Sequence, residues 1–424
     1  MPLFAARWLL AGCLLAGAIP AAAQVRLEPG GSNYIAFRVP QVYLNGCPCD
    51  PPYDNRNPKW VEWARTLFVP GAFGHTIGDY HLDPELVRTH LEQMYASGQR
   101  KIGLLVHLMR SVSECMDLSD PAPDVCHTTH RYDGQDGAWA FVLPLDTVTS
   151  QLLPQHQQNL KHLIADLRRI GYNQVHMRFA PFGELDPRGW RNGAEAPWNY
   201  YHTFLYEKYW TAVRTTVDSI NAWVPDGDSV AVIYDLNAEM ANYIIEGDGK
   251  PWNSAYSFGH TGEHMRRIWR DYLKAFGNTR TIGFTFGNRA LNPGVTDWRR
   301  DVIAVVNRLV YDSVGQRPKG YAFDIYANAP GAFSGLTRCK APCYKKFFEE
   351  LARQARAEKD PPQILVWEST YNDKKFADAV RYANRKLKLG IPYVMQWASW
   401  ANPWTAHFLV VPPVAYDRYL PLSR

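Results

Sequence analysis

Residues 153–180 read LPQHQQNLKHLIADLRRIGYNQVHMRFA, a helix-length amphipathic segment that leads into a short apolar run. In the first part, 153–170, apolar side chains recur every three or four residues, which is typical of a helix with one buried face. In the second part, 174–180, apolar and polar side chains alternate, which is typical of a strand with two different faces. The stretch therefore predicts a fold built from helix-and-strand units.

The same unit recurs from residue 83 onward without a low-complexity linker. Predicted helices span 83–98, 153–170, 202–223, 260–275, 296–314, 343–358 and 373–388. Predicted strands span 102–108, 174–180, 229–236, 280–286, 319–326, 363–368 and 391–397, with a first strand inside 33–44. Eight strands alternating with helices predict a parallel sheet closed into one (β/α)8 TIM barrel over 24–424. An open doubly wound sheet is the alternative, disfavoured because no glycine-rich phosphate loop follows an early strand.

The amino-terminal segment carries the features of an export signal. Arg7 precedes an apolar run over 8–19, and three alanines at 21–23 supply a small-residue cleavage site. This pattern predicts a signal peptide over residues 1–23 and a secreted or periplasmic protein. Cleavage before a lipidated Cys13 is the alternative. No later stretch reaches the roughly 18 apolar residues that a spanning helix needs, so no membrane span is expected.

Charge and aromatic content limit the possible partners. The formal charge of +5 falls to about +4 when Arg7 leaves with the leader, and no long basic run concentrates it. Such a balance does not favour nucleic-acid binding. The 15 Trp and 24 Tyr residues suit a carbohydrate substrate, since the flat apolar faces of aromatic rings stack on sugars, although a large core would use many of them. A monomer is expected.

The cysteines that follow the predicted leader are even in number, which favours disulfides in an exported chain. They are Cys47, Cys49, Cys115, Cys126, Cys339 and Cys343. Pairs of Cys115 with Cys126 and of Cys339 with Cys343 would close short loops in or beside the long βα segments at 109–150 and 327–342. Because βα loops build the active face of a barrel, these disulfides are expected to brace the cleft. The partners of Cys47 and Cys49 stay open, and zinc binding is disfavoured because no second ligand pair has finger-like spacing.

Two glutamates stand where apolar strands end. The strand at 229–236 is followed by Glu239, and the strand at 363–368 ends in Glu368. Active sites of α/β barrels lie at the carboxyl ends of the strands, and a pair of carboxylic acids is the usual equipment for cleaving glycosidic bonds. The alternative is that either acid caps the helix that follows, because helices favour acidic residues in their first turn.

Acids at the ends of the fourth and seventh strands of an eightfold barrel resemble the retaining glycoside hydrolases of clan A. The resemblance implies that Glu239 is the acid/base and Glu368 the nucleophile, without identifying a family within the clan. One departure concerns the residue before the acid/base, which is usually Asn in the clan. Here Ala238 precedes Glu239, and Asn237 stands one position earlier. Asp235, at the end of the same strand, is the rival for the acid/base role.

Neighbouring strand ends supply further candidate residues. In 174–180, the apolar set is expected to face the outer helices, which leaves Arg178 pointing into the barrel. In 319–326, the same alternation points Asp324 and Tyr326 inward. An arginine beside a carboxylate keeps it ionised, as a nucleophile requires. The clan resemblance implies that Tyr326 donates a hydrogen bond to the nucleophile. Arg178 and Asp324 could instead form a plain ion pair of the core.

The remaining candidates are expected to contact the sugar. Trp397 and Trp400 follow the last strand, where the resemblance implies a tryptophan floor for the subsite of the cleaved sugar. Asn237 is expected to bind substrate beside the acid/base. His107, at the end of the second strand, could contact a sugar hydroxyl or be an ordinary buried histidine of the core.

These residues predict hydrolysis of β-glycosidic bonds by a retaining double displacement, with no metal or other cofactor. A metal-dependent mechanism is disfavoured because His127 and His130 lack the rest of a ligand set. One alternative function is a non-catalytic protein for carbohydrate binding or polysaccharide assembly, which Ala238 favours. The other is an inverting hydrolase with Asp235 or Glu184 as the general base.

Overall fold

Parallel strands form the centre of the molecule. The structure is a computed structural model that describes residues 27–34, 76–78, 80–110, 142–187, 198–238, 259–287, 302–325, 342–369, 373–396 and 419–420. Its strands are β1 Gly31–Tyr34, β2 Lys101–Met109, β3 Val142–Pro144, β4 Gln174–Phe182, β5 Ala231–Asp235, β6 Thr281–Gly283, β7 Phe286–Gly287, β8 Gly320–Ile325, β9 Gln363–Ser369 and β10 Met395–Gln396.

Helices separate most of these strands in the chain. They are α1 Pro84–Ala96, α2 Pro154–Ile170, α3 Tyr200–Trp223, α4 Gly259–Phe276, α5 Val302–Val306, α6 Pro342–Ala357 and α7 Lys374–Arg385. A π-helical turn, Asn307–Tyr311, continues α5. Side chains that accept backbone N–H groups fix several helix starts: Asp83 caps α1, Asn199 caps α3 and Asp373 caps α7. The predicted helices are therefore confirmed, most of them to within a few residues at each end.

The strands pair into a ring. One parallel sheet has the order β10-β1-β2-β4-β5-β6, and a second has the order β7-β8-β9. β6 and β7 are separated by only Phe284 and Thr285, and a parallel bridge between Val366 and Val394 joins β9 to the segment before β10. Within the described residues the ring therefore closes, and the fold is the predicted α/β barrel.

One strand was not predicted. β3 comes from the segment 109–150, which the sequence assigns to a long βα loop, and it pairs in parallel with His107–Met109 of β2. Because β4 pairs with β2 along its whole length, β3 lies on the other side of β2, beyond the paired part of β1. The carboxyl end of the barrel is thus extended at this point.

Buried apolar residues form two main clusters. Alternate residues of the strands, among them Val175, Met177 and Phe179, belong to a large cluster shared with the helices, as the alternation predicts. A smaller cluster fills the inside of the barrel. It comprises Ile282, Ala322, Leu365, Trp367, Tyr393 and Met395. The interior is therefore packed in its lower part, and polar side chains occupy the part nearer the carboxyl ends of the strands.

Several predictions fall on parts of the chain that are not described. The predicted leader, 1–23, lies outside the described residues, and each predicted disulfide has at least one cysteine there. Among the residues that are described, no helix is both long and apolar enough to cross a membrane.

Candidate active site

Arg178 is the centre of a buried group of charged side chains inside the barrel. It lies on β4 and is 1% exposed. Its Nε donates to Oδ2 of Asp235 at 3.4 Å, and its Nη2 donates to Oδ2 of Asp324 at 2.7 Å. Its Nη1 donates to Oε1 of Glu368. Each nitrogen of one guanidinium therefore meets a carboxylate from a different strand.

This arrangement goes beyond the core ion pair that the sequence left open. Arg178 and Asp324 do pair, and both point inward as their strands predict. The same arginine, however, also holds Glu368, the acid predicted as nucleophile. We call Arg178, Asp235, Asp324, Glu368 and Thr285 the upper layer, because they lie toward the carboxyl ends of the strands.

Glu368 reaches the upper layer through a β-bulge. Phe323 of β8 pairs with Val366, whereas the next residue, Asp324, pairs with Glu368, so Trp367 is an extra residue in β9. Strict alternation would place Glu368 on the face of Val366, which packs in the cluster shared with the helices. The bulge instead turns both Trp367 and Glu368 toward the interior, as bulges near functional sites commonly do.

Glu368 is also the most exposed of the three acids. Its side chain is 9% exposed, whereas those of Asp235 and Asp324 are fully buried. β9 ends one residue later, so the carboxylate lies at the end of the barrel where active sites form. A charge-assisted hydrogen bond from a buried guanidinium favours the ionised form of a carboxyl group. Glu368 thus has the position and the partner of a nucleophile.

Asp235 has neither. Its Oδ1 accepts from the backbone N–H groups of Asn237 at 3.3 Å and Thr285 at 3.2 Å. Its Oδ2 accepts from the Thr285 hydroxyl at 2.8 Å and from Arg178. Burial raises the pKa of Asp235, and the positive charge of Arg178 opposes that shift. Since both oxygens are bound inside the fold, the geometry disfavours Asp235 as the acid/base.

Sequence reasoning missed Thr285. A second bulge leads to it, because Tyr234 pairs with Thr281 and Asp235 with Gly283, which leaves Ile282 as an extra residue of β6. Gly283 has a φ of 72°, a conformation that glycine adopts without strain. The one available signal was a hydroxyl residue inside the apolar run 280–286, and its direction could not be read without the bulge.

His107 lies nearer the mouth of the barrel. It is half-buried and stacks on Phe182 of β4, with ring centroids 4.8 Å apart and an angle of 22° between the planes. It pairs in register with Ala180, two residues beyond Arg178 along β4. The ring is partly exposed, and its contact with a substrate stays a prediction.

Asn237 and Ala238 lead from the upper layer to the mouth. Asn237 is fully buried, and its side-chain amide has no hydrogen-bond partner among the described residues. The backbone N–H of Ala238 donates to the carbonyl of Phe179 at 2.7 Å, and its side chain packs against a small apolar cluster with Phe182. The chain therefore reaches the position before Glu239 at the carboxyl end of β4.

Four predicted site residues are not described. Glu239, Tyr326, Trp397 and Trp400 lie outside the described residues, so their roles stay predictions. Glu184, the alternative general base, forms an ion pair with Arg110 just beyond the ends of β4 and β2. Over the described ranges, no three His, Cys, Asp or Glu side chains are grouped as a metal site would require.

Beneath the upper layer lies a group of uncharged side chains, which we call the lower layer: Gln174, His176, Trp367 and Tyr393. His176 stacks on Trp367 with ring centroids 4.0 Å apart and an angle of 13°. The Gln174 amide donates to the Tyr393 hydroxyl at 2.7 Å and lies 2.7 Å from Nε2 of His176. Burial, and then the charges of Lys101 and Arg178, lower the pKa of His176, so this imidazole is neutral.

Comparisons with known proteins give structural similarity only. No protein-family sequence model matches the chain, and no curated protein matches it in sequence. Among solved structures, it aligns with the exo-beta-1,4-mannosidase Op5Man5 from Opitutaceae bacterium strain TAV5 at 11% identity and a TM-score of 0.44, over 89% of this chain and 52% of that one. The chain thus spans about half the length of that mannosidase.

Two further structures align over most of both chains. The β-glycosidase from Thermosphaera aggregans is 8% identical with a TM-score of 0.44, over 88% of this chain and 87% of that one. The family 1 β-glucosidase from Thermotoga maritima is 9% identical with a TM-score of 0.42, over 88% of each chain. These TM-scores lie below 0.5, and the barrel is shown instead by the pairing of its own strands. All three structures are named as glycosidases.

Proposed function

We propose that this protein hydrolyses β-glycosidic bonds in an oligosaccharide or polysaccharide, by a retaining mechanism with Glu368 as nucleophile. The observation that carries the proposal is the placement of Glu368. A β-bulge turns it into the carboxyl end of an α/β barrel, a buried arginine holds it, and it is the acid of its layer that keeps some exposure.

The reaction has two displacements. In the first, an Oε of Glu368 forms a bond to the anomeric carbon, the bond from that carbon to the leaving oxygen breaks, and Glu239 gives its proton to that oxygen. In the second, Glu239 takes a proton from water, the water oxygen bonds to the anomeric carbon, and Glu368 leaves as a carboxylate. The retaining route requires the two carboxyl groups to be about 5–5.5 Å apart.

Polar groups near the mouth support a sugar as the substrate. The buried amide of Asn237 has unused donors and acceptors among the described residues, and such an amide gains most from a hydroxyl-rich ligand. The half-buried His107 ring and Phe182 offer a polar edge beside an apolar face. We also propose that the predicted export signal places the enzyme outside the cytoplasm, where it would meet a polysaccharide substrate.

The proposal is tested with a panel of aryl β-glycosides and polysaccharides. We expect Glu239→Ala to slow substrates with poor leaving groups far more than activated aryl glycosides, with partial rescue by azide. Glu184→Ala is the matched control, because this nearby acid already pairs with Arg110. NMR of the first product should show retained anomeric configuration.

Three results would contradict the proposal. Inversion at the anomeric carbon would favour the inverting alternative. The azide pattern in Asp235→Ala in place of Glu239→Ala would transfer the acid/base role. Binding of polysaccharide without release of reducing sugar, unchanged by Glu368→Gln, would favour a non-catalytic carbohydrate-binding protein.

A further inference from the structure

We infer that Asp324 and Asp235 are positioning residues, which hold the Arg178 guanidinium so that its Nη1 faces Glu368 throughout the reaction. This inference rests on the proposed function of Glu368. The two aspartates are fully buried on β8 and β5, so they act on a substrate only through the arginine that they bind.

The contacts around Arg178 divide its nitrogens between anchoring and function. Nε and Nη2 point to the two buried aspartates, and Nη1 points to the more exposed Glu368. A guanidinium is planar and rigid, so fixing two of its nitrogens fixes the direction of the third. Asp324 and Asp235 therefore set where the positive charge meets the nucleophile.

Thr285 links the two anchors. Its hydroxyl donates to Oδ2 of Asp235 at 2.8 Å and accepts from Nη2 of Arg178 at 3.3 Å, beside the bond from Nη2 to Asp324. The backbone N–H of Thr285 adds a second bond to Asp235 at 3.2 Å. Residues from three strands or strand ends thus hold the guanidinium in a network that needs no contact with Glu368.

The reaction gives this network a purpose. When Glu368 bonds to the anomeric carbon it loses its negative charge, and a buried arginine paired with it alone would then lack a counterion. A buried charge without a partner is strongly unfavourable. Asp324 and Asp235 keep Arg178 paired before and after this step, so the guanidinium stays in place to receive Glu368 when it is released.

Three charged side chains bear on Glu368 in the described structure. Arg178 of β4 donates to it, Asp324 of β8 pairs with it in register, and Asp235 of β5 shares the same guanidinium. His176, one layer below, is neutral because burial lowers its pKa. A change at Asp324 can therefore act on Glu368 in two ways: through the position of Arg178, or directly through the loss of a negative charge.

Displacing Arg178 would raise the pKa of Glu368, whereas losing a nearby negative charge would lower it. Paired substitutions therefore separate the two effects. Asp324→Asn keeps an oxygen that can accept from Nη2, whereas Asp324→Ala removes both the charge and the acceptor. We expect Asp324→Ala to move the titration of Glu368 to higher pH and to lower kcat/KM about 10- to 100-fold, with most of both effects reversed in Asp324→Asn. Thr285→Val should move the titration in the same direction by less.

The titration is followed by NMR of the full chain labelled with ¹³C at glutamate carboxyl carbons, with Glu368→Gln to assign the signal. Asp166→Ala is the control, because Asp166 is a buried carboxylate outside the barrel interior that accepts from the Tyr80 hydroxyl. It should leave the Glu368 signal unchanged. The acid limb of the pH profile of kcat/KM should shift with the NMR titration.

The inference is overturned if the Ala and Asn variants both move the titration to lower pH, since Asp324 would then act only as a nearby charge. It is also overturned if neither variant moves it. If Asp324→Ala does not fold, the Asp324→Asn and Thr285→Val pair decides: an upward shift in Thr285→Val supports the inference, and no shift contradicts it. The NMR titration needs no turnover. If the expected shifts are seen but the protein has no glycosidase activity, the proposed function is refuted and the positioning role of Asp324 and Asp235 is not.

Discussion

His176 and Arg178 are two residues apart on the same face of β4, and both are almost fully buried, yet their surroundings differ in kind. Around His176, in the lower layer, the direct partners are an aromatic ring and neutral hydrogen-bonding groups, and the Lys101 ammonium lies 4.6 Å from the centroid of the Tyr393 ring. Around Arg178, in the upper layer, three carboxylates converge. The same strand therefore carries a largely neutral cluster at His176 and, two residues further on the same face, a charged site at Arg178.

The difference shows which layer stabilises the barrel and which equips it for chemistry. Replacing a buried ion pair by well-packed apolar groups is often neutral or stabilising, so a buried charge cluster is weak support for a purely structural role. A neutral stack such as that of His176 on Trp367 stabilises through burial and packing alone. The charged layer lies at the carboxyl end of the barrel, and this position favours function as its explanation.

The largest expected effect is on activity. Glu368→Gln should lower kcat by about four orders of magnitude, because an amide cannot form the glycosyl-enzyme. The melting temperature should stay close to that of the wild type, since Asp235 and Asp324 still pair with Arg178. Kinetics on an activated aryl glycoside, together with thermal melting, check both parts. Full activity in a well-folded variant would remove the upper layer from the chemistry.

The next effect is on stability. Arg178→Met should reduce the free energy of unfolding by about 3–5 kcal/mol at neutral pH, because three carboxylates lose their shared cation. Without that cation the folded state favours protonated acids, so the deficit should shrink as pH falls and grow as pH rises. Urea unfolding at several pH values measures it. A deficit that does not change with pH would mean that lost packing, and not charge, explains it.

The lower layer should also contribute less to stability as the pH falls, but through the protonation of a histidine. The folded state holds His176 neutral, whereas the unfolded chain binds a proton to it below about pH 6.5. Its contribution therefore makes stability fall as pH drops below that value, by up to about 1.4 kcal/mol per pH unit. In His176→Phe this part of the slope should disappear. Other buried histidines titrate in both chains, so the difference between the two unfolding curves is the quantity to compare.

The smallest effect concerns one hydroxyl. Tyr393→Phe removes the acceptor of the Gln174 amide and should reduce the free energy of unfolding by about 1 kcal/mol. Activity should not change, since the hydroxyl belongs to the neutral layer. Urea unfolding and kcat/KM check the two expectations. A loss of activity with unchanged stability would show that the lower layer takes part in the reaction.

Much of the fold could be predicted because hydrophobic periodicity is a local property of the chain. The alternation in 174–180 and 319–326 places Arg178 and Asp324 inside the barrel, and the structure agrees. The segment that forms β3 escaped prediction, since three residues that extend the edge of β2 leave no periodic pattern. Thr285 escaped for a related reason, because its direction depends on the extra residue Ile282.

By itself the sequence determined that strands and helices alternate, that the strands close a barrel, and that an acid stands at the end of 363–368. Only the tertiary structure decided where that acid points. Counting alternate residues from Leu365 would send Glu368 toward the helices, and the bulge at Trp367 reverses this. A bulge is set by how one strand pairs with its neighbour, and pairing between distant segments is not written in the periodicity of either one.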